Sequence, residues 1–140
     1  MSDGHDLALW SFPTRVVAGE GASAFTAREA LQLGATRILI VSDRGVEAAG
    51  LLDSIRRTLE ESELPHASAL DISSNPHEAE VLEAARAFAD FGADLVLGVG
   101  GGSVLDVAKL VRLAATHPAP LAQYDDAVGG SSKIVEPMPP

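Results

Sequence analysis

This 140-residue sequence predicts an α/β fold, a parallel sheet flanked by helices, on three observations. Apolar runs bounded by polar residues recur. "TRILIVSD" has an uninterrupted centre from Ile38 to Val41, and "DLVLGVG" repeats the pattern, as strands covered on both faces require. Stretches of helical period lie between these runs. Three adjacent glycines, Gly100, Gly101 and Gly102, then lead from the second run into a further helical stretch.

In chain order, Arg15 to Ala18 is the first expected strand and Ala22 to Leu33 the first expected helix. After the strand Ile38 to Val41, one helical stripe is marked by Ala48, Leu52, Ile55 and Leu59. Residues His66 to Leu70, alanine-rich and bounded by Pro65 and Asp71, are expected as an intervening strand. A second stripe runs through Val81, Ala84 or Ala85, Phe88 and Phe91, followed by the strand Leu95 to Val99 and a helix from Val104 to about Ala115. Strand alternating with helix gives a Rossmann-like parallel sheet. Right-handed crossovers then place the C-terminal ends of the strands along one edge, where ligand chemistry is expected.

Residues 1–115 form the expected α/β domain. Beyond it, "THPAPLAQYDDAVGGSSKIVEPMPP" (116–140) holds five of the eight prolines and few large apolar residues. It is expected as a loop or tail that either forms a hairpin or leads into something beyond it.

Composition narrows the function. Hydrophobic residues make up 46% of the chain, enough for a real core. Twenty acidic against ten basic side chains give a formal charge of −10, which argues against nucleic acid or an anionic membrane as partner. The lack of cysteine removes disulfides and thiolate metal sites. No secretory signal pattern opens the sequence, and runs such as Leu95 to Val99 are far below the roughly 20 residues of a membrane span, so a cytoplasmic protein is expected.

The glycine turn carries the chemistry. Without Cβ atoms, backbone N–H groups approach a ligand oxygen closely, and the following helix adds its unpaired first-turn N–H groups and positive dipole end. A pyrophosphate fits such a place. A second reading is purely local: Ser103 with Asp106 three residues on has the spacing of a capping box, and Lys109 that of an intrahelical ion-pair partner of Asp106. Asp43, at the end of "ILIVSD", has the chemistry to accept both hydroxyl protons of an adenosine ribose and to repel a 2′-phosphate, or else to cap a helix ahead of Gly45. In "SSNPHEAEV", Asn75 suits an N-cap with Pro76 at the first helical position, or a contact to a nucleobase or ribose. His5, His66, His77 and His117 lack the spacing of a helical zinc site and are expected as solvated residues. "GGGSV" lacks the glycine that a serine nucleophile elbow requires.

"GVGGGSVLDVAK" resembles the G-G-G-S-x-x-D-x-A-K signature of the iron-containing, group III alcohol dehydrogenases. "WSFPTRVVAGEGA", "ILIVSDRGV" and "SSNP" are similar, in order, to that family's opening strand and turn, its ribose-binding strand end and its adenine-side turn. The resemblance covers nearly the whole chain. It implies the N-terminal domain of the dehydroquinate synthase-like, iron alcohol dehydrogenase fold. It also implies an NAD site in which Asp43 holds the adenosine ribose, Asn75 lies beside the adenine half, and Gly101, Gly102 and Ser103 bind the pyrophosphate. Asp106 then sits nearer the nicotinamide ribose and substrate. In the family a threonine-rich strand and a helical domain with an aspartate and histidines for iron, or zinc, follow a sequence like "EPMPP". The resemblance therefore implies the dinucleotide-binding part of a dehydrogenase acting on an alcohol or aldehyde, inactive alone, with no catalytic or metal-binding residue in this chain. A maleylacetate reductase-like enzyme is the alternative within the family, and a non-catalytic nucleotide-binding or oligomerisation module the alternative outside it. An unpaired strand edge and an uncovered apolar face would favour a homodimer.

Overall fold

The computed structural model describes residues 14–140. Three four-residue strands, β1 (Ile38–Val41), β2 (His66–Ala69) and β3 (Leu95–Gly98), form one parallel sheet in the order β2-β1-β3. Five helices accompany them: α1 (Thr26–Gln32), α2 (Arg44–Ala48), α3 (Asp53–Glu61), α4 (Glu78–Phe91) and α5 (Gly102–Ala114). The α/β expectation holds, and the periodicity explains why. All four residues of β1 are fully buried, since that strand is central and covered on both faces. Leu39 and Val41 join Val81, Ala84, Phe88, Val107 and Val111 of α4 and α5 in one core. Ile38 and Ile40 point the other way and join Ala27, Ala30, Leu52, Ile55 and Leu59 of the α1 and α3 side.

Two side chains stitch β1 to β3. At the entry end, the Asp94 carboxylate accepts the N–H groups of Thr36 (2.9 Å) and Arg37 (3.0 Å) and the Thr36 hydroxyl. Burial works against that charge, but these hydrogen bonds outweigh it and hold the carboxyl below the usual aspartate range. At the exit end, the buried Ser42 hydroxyl donates to the carbonyl of Val99 at 2.6 Å.

Several local expectations are corrected. Arg15 to Ala18 forms no strand, and Val16 and Val17 are exposed. A strand needs a hydrogen-bonding neighbour. The outer edge of β3 instead donates its Val96 N–H to the carbonyl of Pro140 at 2.9 Å. The helix over 22–33 begins as a 3-10 turn (Ala22–Phe25) before α1. The stripe Ala48–Leu59 is two helices, broken at Gly50, whose φ of 72° ends α2, so Ala48 is exposed while Leu52, Ile55 and Leu59 are buried.

Residues 116–140 contain three 3-10 turns and no hairpin. They pack on the α4 and α5 core through Leu121 and Tyr124. The Leu121 N–H is accepted by Glu78 Oε1 at 2.6 Å. His117, expected in solvent, is 5% exposed. Its Nε2 accepts the N–H groups of Val135 (3.2 Å) and Glu136 (3.3 Å), and Tyr124 packs edge-on against the ring. A buried imidazole with an apolar body and these partners holds a loop together where periodicity gives no sign of order. Of the other histidines, His77 is exposed, His66 half-buried, and His5 lies outside the described residues.

Candidate functional site

At the C-terminal ends of the strands lies a cleft of about 540 Å³, walled by residues 43–45 after β1, 70–74 after β2 and 101–104 after β3. This is the edge on which parallel topology concentrates loops.

The four glycines of "GVGGG" divide into two kinds. Gly98 and Gly100 answer to the protein itself. A Cβ on Gly98 would lie 2.9 Å from the Ala108 Cβ, so α5 packs directly on the end of β3. Gly100 has a φ of 154° and faces the Val104 side chain at 3.0 Å. Gly101 has ordinary extended dihedrals, φ −78° and ψ −173°, and a Cβ on Gly101 or Gly102 meets nothing within 4 Å. No neighbouring atom in the fold requires the absence of a side chain at either position, and both border the cleft.

The start of α5 is open in a second sense. Gly101 is its N-cap and makes no side-chain cap. The capping box expected from Ser103 and Asp106 is absent. Ser103 lies inside the helix, and its hydroxyl donates across the cleft to the Ser74 carbonyl at 2.9 Å. Asp106 is exposed and pairs with Lys109 at 3.0 Å, the local alternative. The first-turn N–H groups of α5 thus lack a side-chain acceptor at the N-cap and combine with the dipole to favour an anion.

Asp43 caps α2, with Oδ1 accepting the Val46 N–H at 2.8 Å. That is the local reading, and it is compatible with the ribose reading, because a carboxylate offers about four acceptor positions over two oxygens. Asp71 ends β2 as Asp43 ends β1, and the two residues form an antiparallel backbone bridge. Between them Arg44 reaches Asp71 (Nε to Oδ1, 3.0 Å) and Glu47 (3.5 Å). The hydrogen bond and attraction of Asp71 raise the guanidinium pKa further above its ordinary value.

Asn75 is exposed and lies one residue beyond the β2 wall, and the N-cap of α4 is His77. Glu80 sets that start. Its carboxylate accepts the His77 N–H (2.7 Å), the Ser73 N–H (2.7 Å) and the Ser73 hydroxyl (3.1 Å). These bonds, that from the His77 backbone first, hold its pKa below the usual glutamate range. The structure therefore gathers Asp43, Gly101, Gly102 and Ser103 at one cleft and leaves Asn75 and Asp106 off its walls. Sequence reasoning missed Asp71, Arg44 and Glu80. Asp71 was detectable as a carboxylate at a strand end matching Asp43.

Among the described residues, no group of three or more His, Cys, Asp or Glu side chains could hold a metal ion. The described residues therefore offer no donor set that fits the metal implied by the resemblance. None of the helices among them is long and apolar enough to cross a membrane.

Comparison with known proteins places the chain in a family. The family model for iron-containing alcohol dehydrogenase matches residues 13–140. The chain is 33% identical over 135 residues to 4-hydroxybutyrate dehydrogenase of Cupriavidus necator, covering 96% of this chain and 35% of that protein. Among solved structures it is similar to 1,3-propanediol oxidoreductase (TM-score 0.78, 28% identity, 87% of this chain and 31% of that one). It is also similar to NADH-dependent butanol dehydrogenase A of Thermotoga maritima (TM-score 0.76, 26% identity, 84% and 30%). The chain spans about a third of the length of the relatives it matches. A parallel sheet with a glycine turn at its C-terminal edge, and a family match over nearly every residue, lead to one conclusion: this chain belongs to the iron-containing alcohol dehydrogenase family.

Proposed function

We propose that this chain is the NAD-binding part of an iron-dependent alcohol dehydrogenase that moves hydride between an alcohol or aldehyde and a nicotinamide cofactor. The observation that carries the reading is the bare backbone of Gly101 and Gly102, required by no contact within the protein, at an uncapped helix start that borders a cleft. Those peptide N–H groups bind the pyrophosphate. Asp43 accepts the adenosine ribose hydroxyls while capping α2, and its charge disfavours a 2′-phosphate. The exposed Asn75 and Asp106 reach outward to the adenine side and toward the nicotinamide ribose and substrate. NAD supplies the hydride acceptor, and the protein supplies position and electrostatics. A relative described as NADH-dependent supports the cofactor assignment. The metal, iron or zinc, is held by residues outside this chain, which by itself oxidises no alcohol. The cytoplasm is the compartment we assign. The exposed Val17, Phe25 and Leu33, which line an apolar groove with Leu95 to Leu97 of β3 and Pro140, favour a homodimer, which light scattering at working concentration checks.

Isothermal titration of the chain with NAD is the direct test. Binding that is lost in both Asp43→Ala and Gly102→Val supports the site. A wild-type chain that binds no NAD, or variants that bind it equally well, refutes it.

A further inference from the structure

Ser103 carries one hydroxyl proton, and that proton is committed to the Ser74 carbonyl at 2.9 Å. Ser74 belongs to the loop between β2 and α4, which one carboxylate gathers. Glu80 holds the Ser73 N–H and hydroxyl and the His77 N–H together. Bonds to an ionised acceptor are the stronger kind, and Glu80 is kept ionised by the same donors. Ser73, Ser74 and Ser103 all line the cleft, on opposite walls. Two walls from distant parts of the sequence are thus fastened through one chain of bonds, from Glu80 through Ser73 and Ser74 to Ser103.

We propose that Glu80 and Ser103 form a strap that sets the distance between the β2–α4 loop and the glycine turn. Both are positioning residues for the dinucleotide, and anion contact at the turn falls to peptide N–H groups instead of the Ser103 hydroxyl. This rests on the dinucleotide reading above, and goes beyond it by assigning Ser103 away from the phosphate and Glu80, which no signature marks, to the cleft.

The test is a double-mutant cycle on NAD affinity, read by calorimetry on the full chain. Glu80→Ala and Ser103→Ala each weaken binding about 3- to 10-fold, the worth of one net hydrogen bond. The double variant is no weaker than the worse single one, because both cut the same strap, and Ser103→Thr restores wild-type affinity. Should Glu80→Ala fail to fold, Glu80→Gln, which keeps one acceptor oxygen, takes its place. Effects that multiply, or a loss with Ser103→Ala alone, mean that the hydroxyl touches the ligand itself and overturn the strap. Single variants that bind like wild type overturn it too. A wild-type chain that binds no NAD overturns the dinucleotide reading and the strap together, which separates that failure from the others.

Discussion

Replacing Gly102 by valine separates a glycine kept for folding from one kept for a ligand. In the protein alone the new side chain meets no atom within 4 Å of its Cβ. Glycine and valine differ by only a few tenths of a kcal/mol in helix propensity, so the unfolding free energy should change by less than about 0.5 kcal/mol. Binding is another matter. A phosphate against the N–H groups at the start of α5 makes charge-assisted hydrogen bonds of about 1.5–3 kcal/mol each, and an isopropyl group there holds it off. Losing one such bond weakens NAD at least about 10-fold. Gly98→Ala supplies the contrast. Its Cβ is forced to 2.9 Å from the Ala108 Cβ. Overpacking of that kind costs about 1–3 kcal/mol of stability. Denaturant unfolding followed by circular dichroism, with calorimetry on the same samples, reads both quantities. If Gly102→Val lost more than about 1 kcal/mol of stability, or bound NAD like wild type, bare backbone at this turn would not be there for a ligand.

Asp43→Asn keeps the cap on α2, since asparagine and aspartate cap equally well, but removes the charge. It should leave the unfolding midpoint unchanged, weaken NAD and admit NADP, as competitive titration with the two dinucleotides would show. Asp94→Ala unties Thr36 and Arg37 and should cost about 1–3 kcal/mol in urea unfolding. The Asp94 carboxyl is depressed in the folded state, so its contribution is present above the unfolded aspartate pKa of about 3.9 and is lost as pH falls through the lower folded value. Asp94→Asn should therefore show a shallower loss of stability than wild type below about pH 4. His117→Ala removes the acceptor for the Val135 and Glu136 N–H groups. Faster hydrogen exchange at those two amides, with α5 still protected, is the expected record.

Legibility followed the range of the forces involved. β1 is plain in the sequence because a central parallel strand is buried on both faces, and four consecutive apolar residues say so. Arg15 to Ala18 misleads because its strand character depends on a neighbour that local pattern does not supply. Asn75 and Pro76 match a helix start in residue type, yet α4 begins at Glu78, where the Glu80 carboxylate can reach the His77 N–H. Ser103 matches a cap, but the Ser74 carbonyl, 29 positions earlier, takes its proton. Order in 116–140 rests on bonds such as Glu78 to Leu121 and His117 to Val135, between residues too far apart for any period to join. The cleft itself was visible, since the glycine run and Asp43 both follow strands, and parallel strands end together.

Because Asp94 and Ser42 fasten β1 to β3 at both ends, the two strands behave as one plank. An incoming molecule meets on the β2 side a loop tied across the cleft by one hydroxyl, that of Ser103 on the Ser74 carbonyl, whereas β1 and β3 are tied by side chains at both ends. Any tightening on arrival should register as slowed amide exchange over 71–77, while 38–42 and 95–99 stay as slow as before.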